Sequence, residues 1–123
     1  MAQNTAMEKN LTVYGIANCD TVKKSRAWLD ASGIAYSFHD YKKQGVPEAA
    51  LRRWVQALGW EVLVNRKGTT WRKLPADIQA SVIDAESAVQ LMLREASVIK
   101  RPVLKGASLL TVGYAPDQWQ GKL

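Results

Sequence analysis

Tyr14-Gly15-Ile16-Ala17-Asn18-Cys19-Asp20-Thr21-Val22-Lys23-Lys24 is the stretch on which the fold turns. Leu11 to Ile16 is a short run rich in β-formers, and Asn18-Cys19-Asp20 breaks it. From Thr21 to Ser32 the pattern becomes helical. Val22, Ser25 and Leu29 share one face, while Lys23, Lys24, Arg26 and Asp30 lie largely elsewhere. Gly33 is placed to stop that helix. A cysteine between a strand and a helix has its sulfur near unpaired amide N–H groups and the positive end of the helix dipole. That setting lowers a thiol pKa. Lys23, one turn on, adds positive charge, and Asp20 works against it. The competing reading makes Cys19 a small buried hydrophobe, as free cysteines often are. Its polar neighbours Asn18 and Asp20 argue against deep burial.

Outward from this stretch, Ile34 to Tyr41 has apolar and aromatic residues in partial alternation and reads as a second strand. Pro47 opens a helix on which Leu51, Trp54, Val55 and Leu58 recur at helical spacing, and Gly59 ends it. Pro75 starts a shorter helix carrying Ile78 and Val82. Asp84 is an N-cap for another, with Val89, Met92, Leu93 and Ala96 on one face. Val98 to Leu104 and Ser108 to Val112 read as strands, and Pro116 opens a short terminal turn. The order is β-α-β, a helical block, then β-β. This is an α/β chain: a mixed sheet with packed helices, interrupted by an inserted helical subdomain at about 47–96. Residues 1–10 read as a flexible leader ahead of one domain over 11–123.

Composition narrows the function classes. The formal charge is +6, from 17 Lys and Arg against 11 Asp and Glu, but the basic residues are scattered and cluster only in pairs such as Lys23-Lys24. No arginine-rich tail or interleaved aromatic motif is present, so no nucleic-acid partner is expected. One cysteine excludes an internal disulfide and a multi-cysteine metal site, which favours a reducing compartment. The first ten residues hold no apolar signal core. No apolar run reaches the ~18 residues that a membrane span needs. The chain therefore reads as cytoplasmic and without a membrane partner; a monomer with no metal or bound organic cofactor is the accompanying expectation.

Other segments hold fewer clues on their own. Arg101-Pro102 lies at or just before the third strand, where an arginine is more often a surface charge. Asn65-Arg66-Lys67-Gly68-Thr69-Thr70-Trp71 is most simply a surface loop. His39 has no ligand-spaced partner and reads as structural. The tryptophans read as core packing. Val22 occupies the position that would complete a C-x-x-C pair, so a redox cycle would take its second thiol from outside, glutathione being the obvious candidate.

Together these segments resemble the ArsC-like (arsenate reductase) family, most closely its YffB-like branch. The resemblance rests on Tyr14-Gly15-Ile16-x-Asn18-Cys19-Asp20-Thr21-Val22-Lys23-Lys24-x-Arg26-x-Trp28-Leu29 and on Phe38-His39-Asp40-Tyr41-Lys42. Asn65-Arg66-x-Gly68-Thr69-Thr70-Trp71-Arg72-x-Leu74 and the ending Lys100-Arg101-Pro102-Val103 to Val112-Gly113-Tyr114 extend it from about Leu11 to Trp119. The family implies a thioredoxin-like fold, a cis Arg101-Pro102 bond, and a loop beside Cys19. It also implies a cysteine thiolate that attacks substrate and is resolved by glutathione, with Arg66 and Arg101 holding an oxyanion. A bidentate guanidinium suits a tetrahedral oxyanion or a carboxylate. Lys23 and Pro102 complete the expected binding set.

This chain departs from the arsenate reductase pattern twice. Lys23 stands where those enzymes have an arginine, and Ser108 to Tyr114 contains no arginine where they have a third. Those losses weaken the case for arsenate and leave thiolate chemistry untouched. The resulting expectation is a glutathione-dependent thiol/disulfide or oxyanion reductase acting on a small-molecule or protein disulfide. The alternative is a regulator like the Spx branch of the superfamily, which binds RNA polymerase; such proteins typically carry the C-x-x-C switch that Val22 abolishes here. A member that keeps the fold without the chemistry is the third reading.

Overall fold

The computed structural model describes residues 11–123, and the leader expected at 1–10 lies outside them. Two compact units emerge: residues 11–44 with Arg101–Leu123, and Gly45–Lys100. The first is built on a sheet in the order β2-β1-β3-β4. Its strands are β1 (Thr12–Gly15), β2 (Ser37–Asp40), β3 (Val103–Lys105) and β4 (Leu110–Val112). β1 runs parallel to β2, with Thr12 opposite Ser37 and Gly15 opposite Asp40. β3 runs antiparallel to β1, Tyr14 opposite Val103, and β4 runs antiparallel to β3. The architecture is the thioredoxin-like mixed sheet that the family resemblance implies.

Helix α1 (Asp20–Ala31) is the crossover that the parallel β1–β2 pair requires. Val22, Ser25 and Leu29 form its buried face, as the periodicity predicts. Gly33 takes φ 70° just beyond its end, and the Ile34 N–H donates to the Leu29 carbonyl, a Schellman-type stop. Leu11, Val13, Leu29, Leu104, Leu109 and Trp119 make the core of this unit. Trp119, in the last helix (α8, Pro116–Trp119), is fully buried and donates its indole N–H to Thr111 Oγ1 at 2.8 Å.

The second strand is shorter than its alternation suggests. It begins at Ser37, and Tyr41 opens a short helix, α2 (Tyr41–Gln44), instead of ending the strand. Asp40 causes the switch: its carboxylate accepts from the Lys42 N–H at 2.9 Å, and its own N–H donates to Gln44 Oε1 at 3.1 Å. This reciprocal pair caps the helix at the end of the strand. The expected strand over Val98–Leu104 is likewise cut down, because Ala96–Val98 is a 3-10 turn and regular pairing begins only at Val103.

The second unit is helical: α3 (Glu48–Leu58), α4 (Trp60–Leu63), α5 (Thr69–Lys73), α6 (Ala76–Ala80) and α7 (Ala85–Arg94). Leu51, Trp54 and Val55 are the buried face of α3. Asp84 caps α7 in a full capping box with Ser87. An antiparallel bridge, Val64 to Ile99, ties the residue after α4 to the last residues of the unit. Its bounds, Gly45 and Lys100, are a few residues wider than the 47–96 insertion read from the sequence. Thr69–Lys73 is helical where the sequence suggests a loop, and α4 has no counterpart in that reading. Among the described residues no helix is long and apolar enough to cross a membrane.

One close approach in the first unit fixes where α1 begins. A Cβ placed on Gly15 would lie 2.8 Å from Cγ2 of Val22, a fully buried β-branched side chain with little rotamer freedom. Gly15→Ala should therefore cost about 1–3 kcal/mol by overpacking, read as a lower urea midpoint. Gly15→Ala combined with Val22→Ala should recover part of that loss beyond additivity; strictly additive losses would show that the two residues do not meet.

Candidate active site

The topology brings three segments to one end of the sheet. Cys19 follows the carboxyl end of β1, and Tyr41 follows the carboxyl end of its parallel neighbour β2. Arg101-Pro102 precedes β3, which runs the other way, so it arrives at the same end. Open α/β sheets hold ligands at the carboxyl ends of their parallel strands for this reason.

Cys19 is the N-cap residue of α1, in extended conformation at φ −142° and ψ 124°. Its carbonyl already accepts from the Lys23 N–H at 2.9 Å, and its thiol is half-buried. The sulfur makes no short capping bond. It does face the N–H groups of Val22 and Thr21 and the guanidinium of Arg101. Burial alone would push the thiol up. The Val22 N–H, hydrogen bonding and charge from Arg101, and the Thr21 N–H together outweigh it, holding Cys19 below its ordinary value. The helix terminus thus acts as the sequence suggests, but the cation is Arg101, 82 positions along the chain. Lys23 is exposed on the turn after the cysteine, and its backbone N–H is what binds Cys19.

Arg101 is half-buried and Pro102 buried. The peptide between them is cis, in keeping with the family resemblance. The Pro102 carbonyl accepts from the Gly113 N–H at 2.8 Å, so the loop that carries Arg101 is held by the end of β4. Two phenols and the histidine complete this end of the sheet. Tyr14 and His39 are register partners with ring centroids 5.1 Å apart, and His39 and Tyr41 meet edge-to-face at 6.0 Å. Tyr41 is buried, and burial together with Tyr14 pushes its phenol well above the ordinary value, against the opposing pull of Arg101. The sequence pattern does not single out Tyr41, because the strand reading runs through it. The signal that would have found it is the Asp40–Gln44 cap.

Arg66 lies in the second unit, exposed, with its guanidinium 5.0 Å from the Trp60 ring centre. Trp60 is thus half-buried under a charged partner, whereas Trp54 and Trp119 are core residues, as expected of the tryptophans. Among the described residues no group of three or more His, Cys, Asp or Glu is placed to hold a metal.

The ArsC family profile matches residues 14–121. The YffB protein, of known structure, is 46% identical and superposes with a TM-score of 0.87, over 93% of this chain and 99% of its own. An arsenate reductase (ArsC) related protein from Brucella melitensis is 50% identical, with a TM-score of 0.72 over 90% of this chain and 92% of its own. An uncharacterized protein of Haemophilus influenzae is 36% identical over 89% of this chain and 96% of its own length.

Two outcomes check the electrostatics. Arg101→Met removes the guanidinium but keeps an unbranched apolar stem, so the Cys19 alkylation midpoint should move up toward the ordinary value of 9.0; an unmoved midpoint would assign the shift to the helix terminus alone. The second outcome is linkage. The folded value lies below the unfolded one, so ionisation of Cys19 stabilises the folded state. That contribution is full above the unfolded value and is lost as pH falls through the folded value. In urea titrations the stability advantage of the wild type over Cys19→Ser should therefore widen as pH rises toward 9.0.

Proposed function

On the premise that this chain belongs to the ArsC family, we propose that it is a glutathione-dependent thiol reductase with Cys19 as its nucleophile. The observation that carries this reading is the half-buried Cys19 sulfur at the start of α1, facing two backbone N–H groups and Arg101. A thiol so placed ionises more readily than a free one, and its half-buried sulfur keeps an open approach.

The chemistry runs in two exchanges. The Cys19 thiolate attacks a sulfur of a glutathione mixed disulfide, forming a new S–S bond to the glutathionyl group and expelling the substrate thiolate, which takes a proton from water. Free glutathione, as its thiolate, then attacks the glutathionyl sulfur of that adduct. Oxidised glutathione leaves and Cys19 returns as thiolate. The net change reduces one substrate disulfide bond and oxidises glutathione, with no electron carrier beyond the thiols. Arg101 offsets negative charge on the incoming carboxylates and on the returning thiolate. Lys23 and Arg66 join the reading through the motifs that contain them, as further cations for an anionic substrate.

Disulfide exchange suits this chain better than arsenate reduction. Holding a tetrahedral oxyanion calls for several planar donors, and this sequence offers Lys23 in place of one arginine and none over Ser108–Tyr114. A thiol-switch regulator of the Spx kind is disfavoured by Val22, which is fully buried in the core at the place of a resolving thiol. A reducing cytoplasm is the compartment such a cycle needs, and no nucleic acid or membrane takes part in it.

Intact mass after exposure to oxidised glutathione tests the proposal. The wild type should gain one glutathionyl group, lost again on adding reduced glutathione, and Cys19→Ser should gain none. A wild-type protein that stays unmodified would remove the reading.

A further inference from the structure

Tyr41 stands out among the buried side chains of the first unit. It is 3% exposed, and its phenol hydroxyl has no hydrogen-bond partner among the described residues. A buried hydroxyl left unmatched costs stability, and such groups in folded proteins call for an explanation. The ring is well supported, edge-to-face against His39, so the hydroxyl is an addition to a packing role that phenylalanine would fill as well. Its place in the fold suggests what it is for. Tyr41 begins α2 at the carboxyl end of β2, next to the carboxyl end of β1 from which Cys19 follows. It also lies within the electrostatic reach of Arg101, the same guanidinium that faces the Cys19 sulfur.

We infer that Tyr41 is a substrate-binding residue, whose hydroxyl donates a hydrogen bond to an anionic oxygen of the substrate while Arg101 neutralises its charge. The inference deepens the thiol-reductase reading and rests on it. A neutral donor beside a cation binds an anion without adding a second positive charge that would have to be buried when the site is empty. The phenol is suited to that task because it stays protonated throughout the physiological range. The oxygen it meets belongs either to a carboxylate, as in a glutathionyl group, or to a tetrahedral inorganic oxyanion.

Tyr41→Phe separates this from a structural role. Cys19 is alkylated at neutral pH with iodoacetate, which carries a carboxylate, and with iodoacetamide, which is isosteric and neutral. The wild type should favour iodoacetate relative to a free thiol, and Tyr41→Phe should lose roughly tenfold of that preference, as expected for one donor to a charged acceptor. The iodoacetamide rate and the thiol midpoint should stay unchanged, and the urea midpoint should be equal or higher, because no native hydrogen bond is lost. Protection against iodoacetamide by inorganic arsenate, weakened in Tyr41→Phe, would identify the oxyanion as the source. Loss of iodoacetate preference without such protection identifies the carboxylate. An unchanged preference together with unchanged arsenate protection, or a lower urea midpoint in the variant, would overturn the inference. An ordinary thiol midpoint in the wild type would instead overturn the reductase reading, so the two failures are distinct.

Discussion

The close approach of Gly15 to Val22 is the constraint from which the site follows. It allows β1 to end directly beneath the first turn of α1, with the cysteine as the last extended residue before the helix. Any side chain on Gly15 would have to displace Val22, the buried anchor of that turn. Where the helix starts decides which N–H groups are unpaired, and so which atoms the sulfur faces. The parallel register of β1 and β2 and the antiparallel register of β3 then deliver Tyr41 and Arg101 to the same end of the sheet.

The thiol is the outcome of a contest that burial loses. Desolvation is the largest single influence on Cys19 and opposes ionisation, yet the weaker opposing pulls of three groups together exceed it. Two are backbone N–H groups fixed by the helix itself. The third is Arg101, whose loop is held by the Gly113 N–H on the Pro102 carbonyl. A single-cysteine reductase needs this balance. Full burial would silence the nucleophile, and full exposure would forfeit the dipoles that ionise it.

Much of this was legible in the sequence where a strong period met a clear stop. The passage from β1 through Cys19 into α1, and the stop at Gly33, follow from hydrophobic spacing and glycine chemistry. So do the buried face of α3 and the cap at Asp84. The thioredoxin-like architecture and Arg101-Pro102 were legible only through resemblance, since no local pattern carries residue 101 to residue 19. The short helices were lost where local signals are weak: Thr69–Lys73 begins with two threonines, and Trp60–Leu63 follows the glycine that ends α3. Tyr41 reads as strand because β2 and α2 are contiguous, and the aromatic residues Tyr36 and Phe38 before it hide the cap that Asp40 provides.

The rate of Cys19 alkylation by iodoacetamide as a function of pH tests the central claim most directly. A single ionisation with its midpoint clearly below 9.0, absent in Cys19→Ser, is the result that the N–H groups of Val22 and Thr21 and the Arg101 guanidinium predict. A midpoint at or above 9.0 would mean that desolvation prevails, and would contradict the assignment of Cys19 as the working nucleophile.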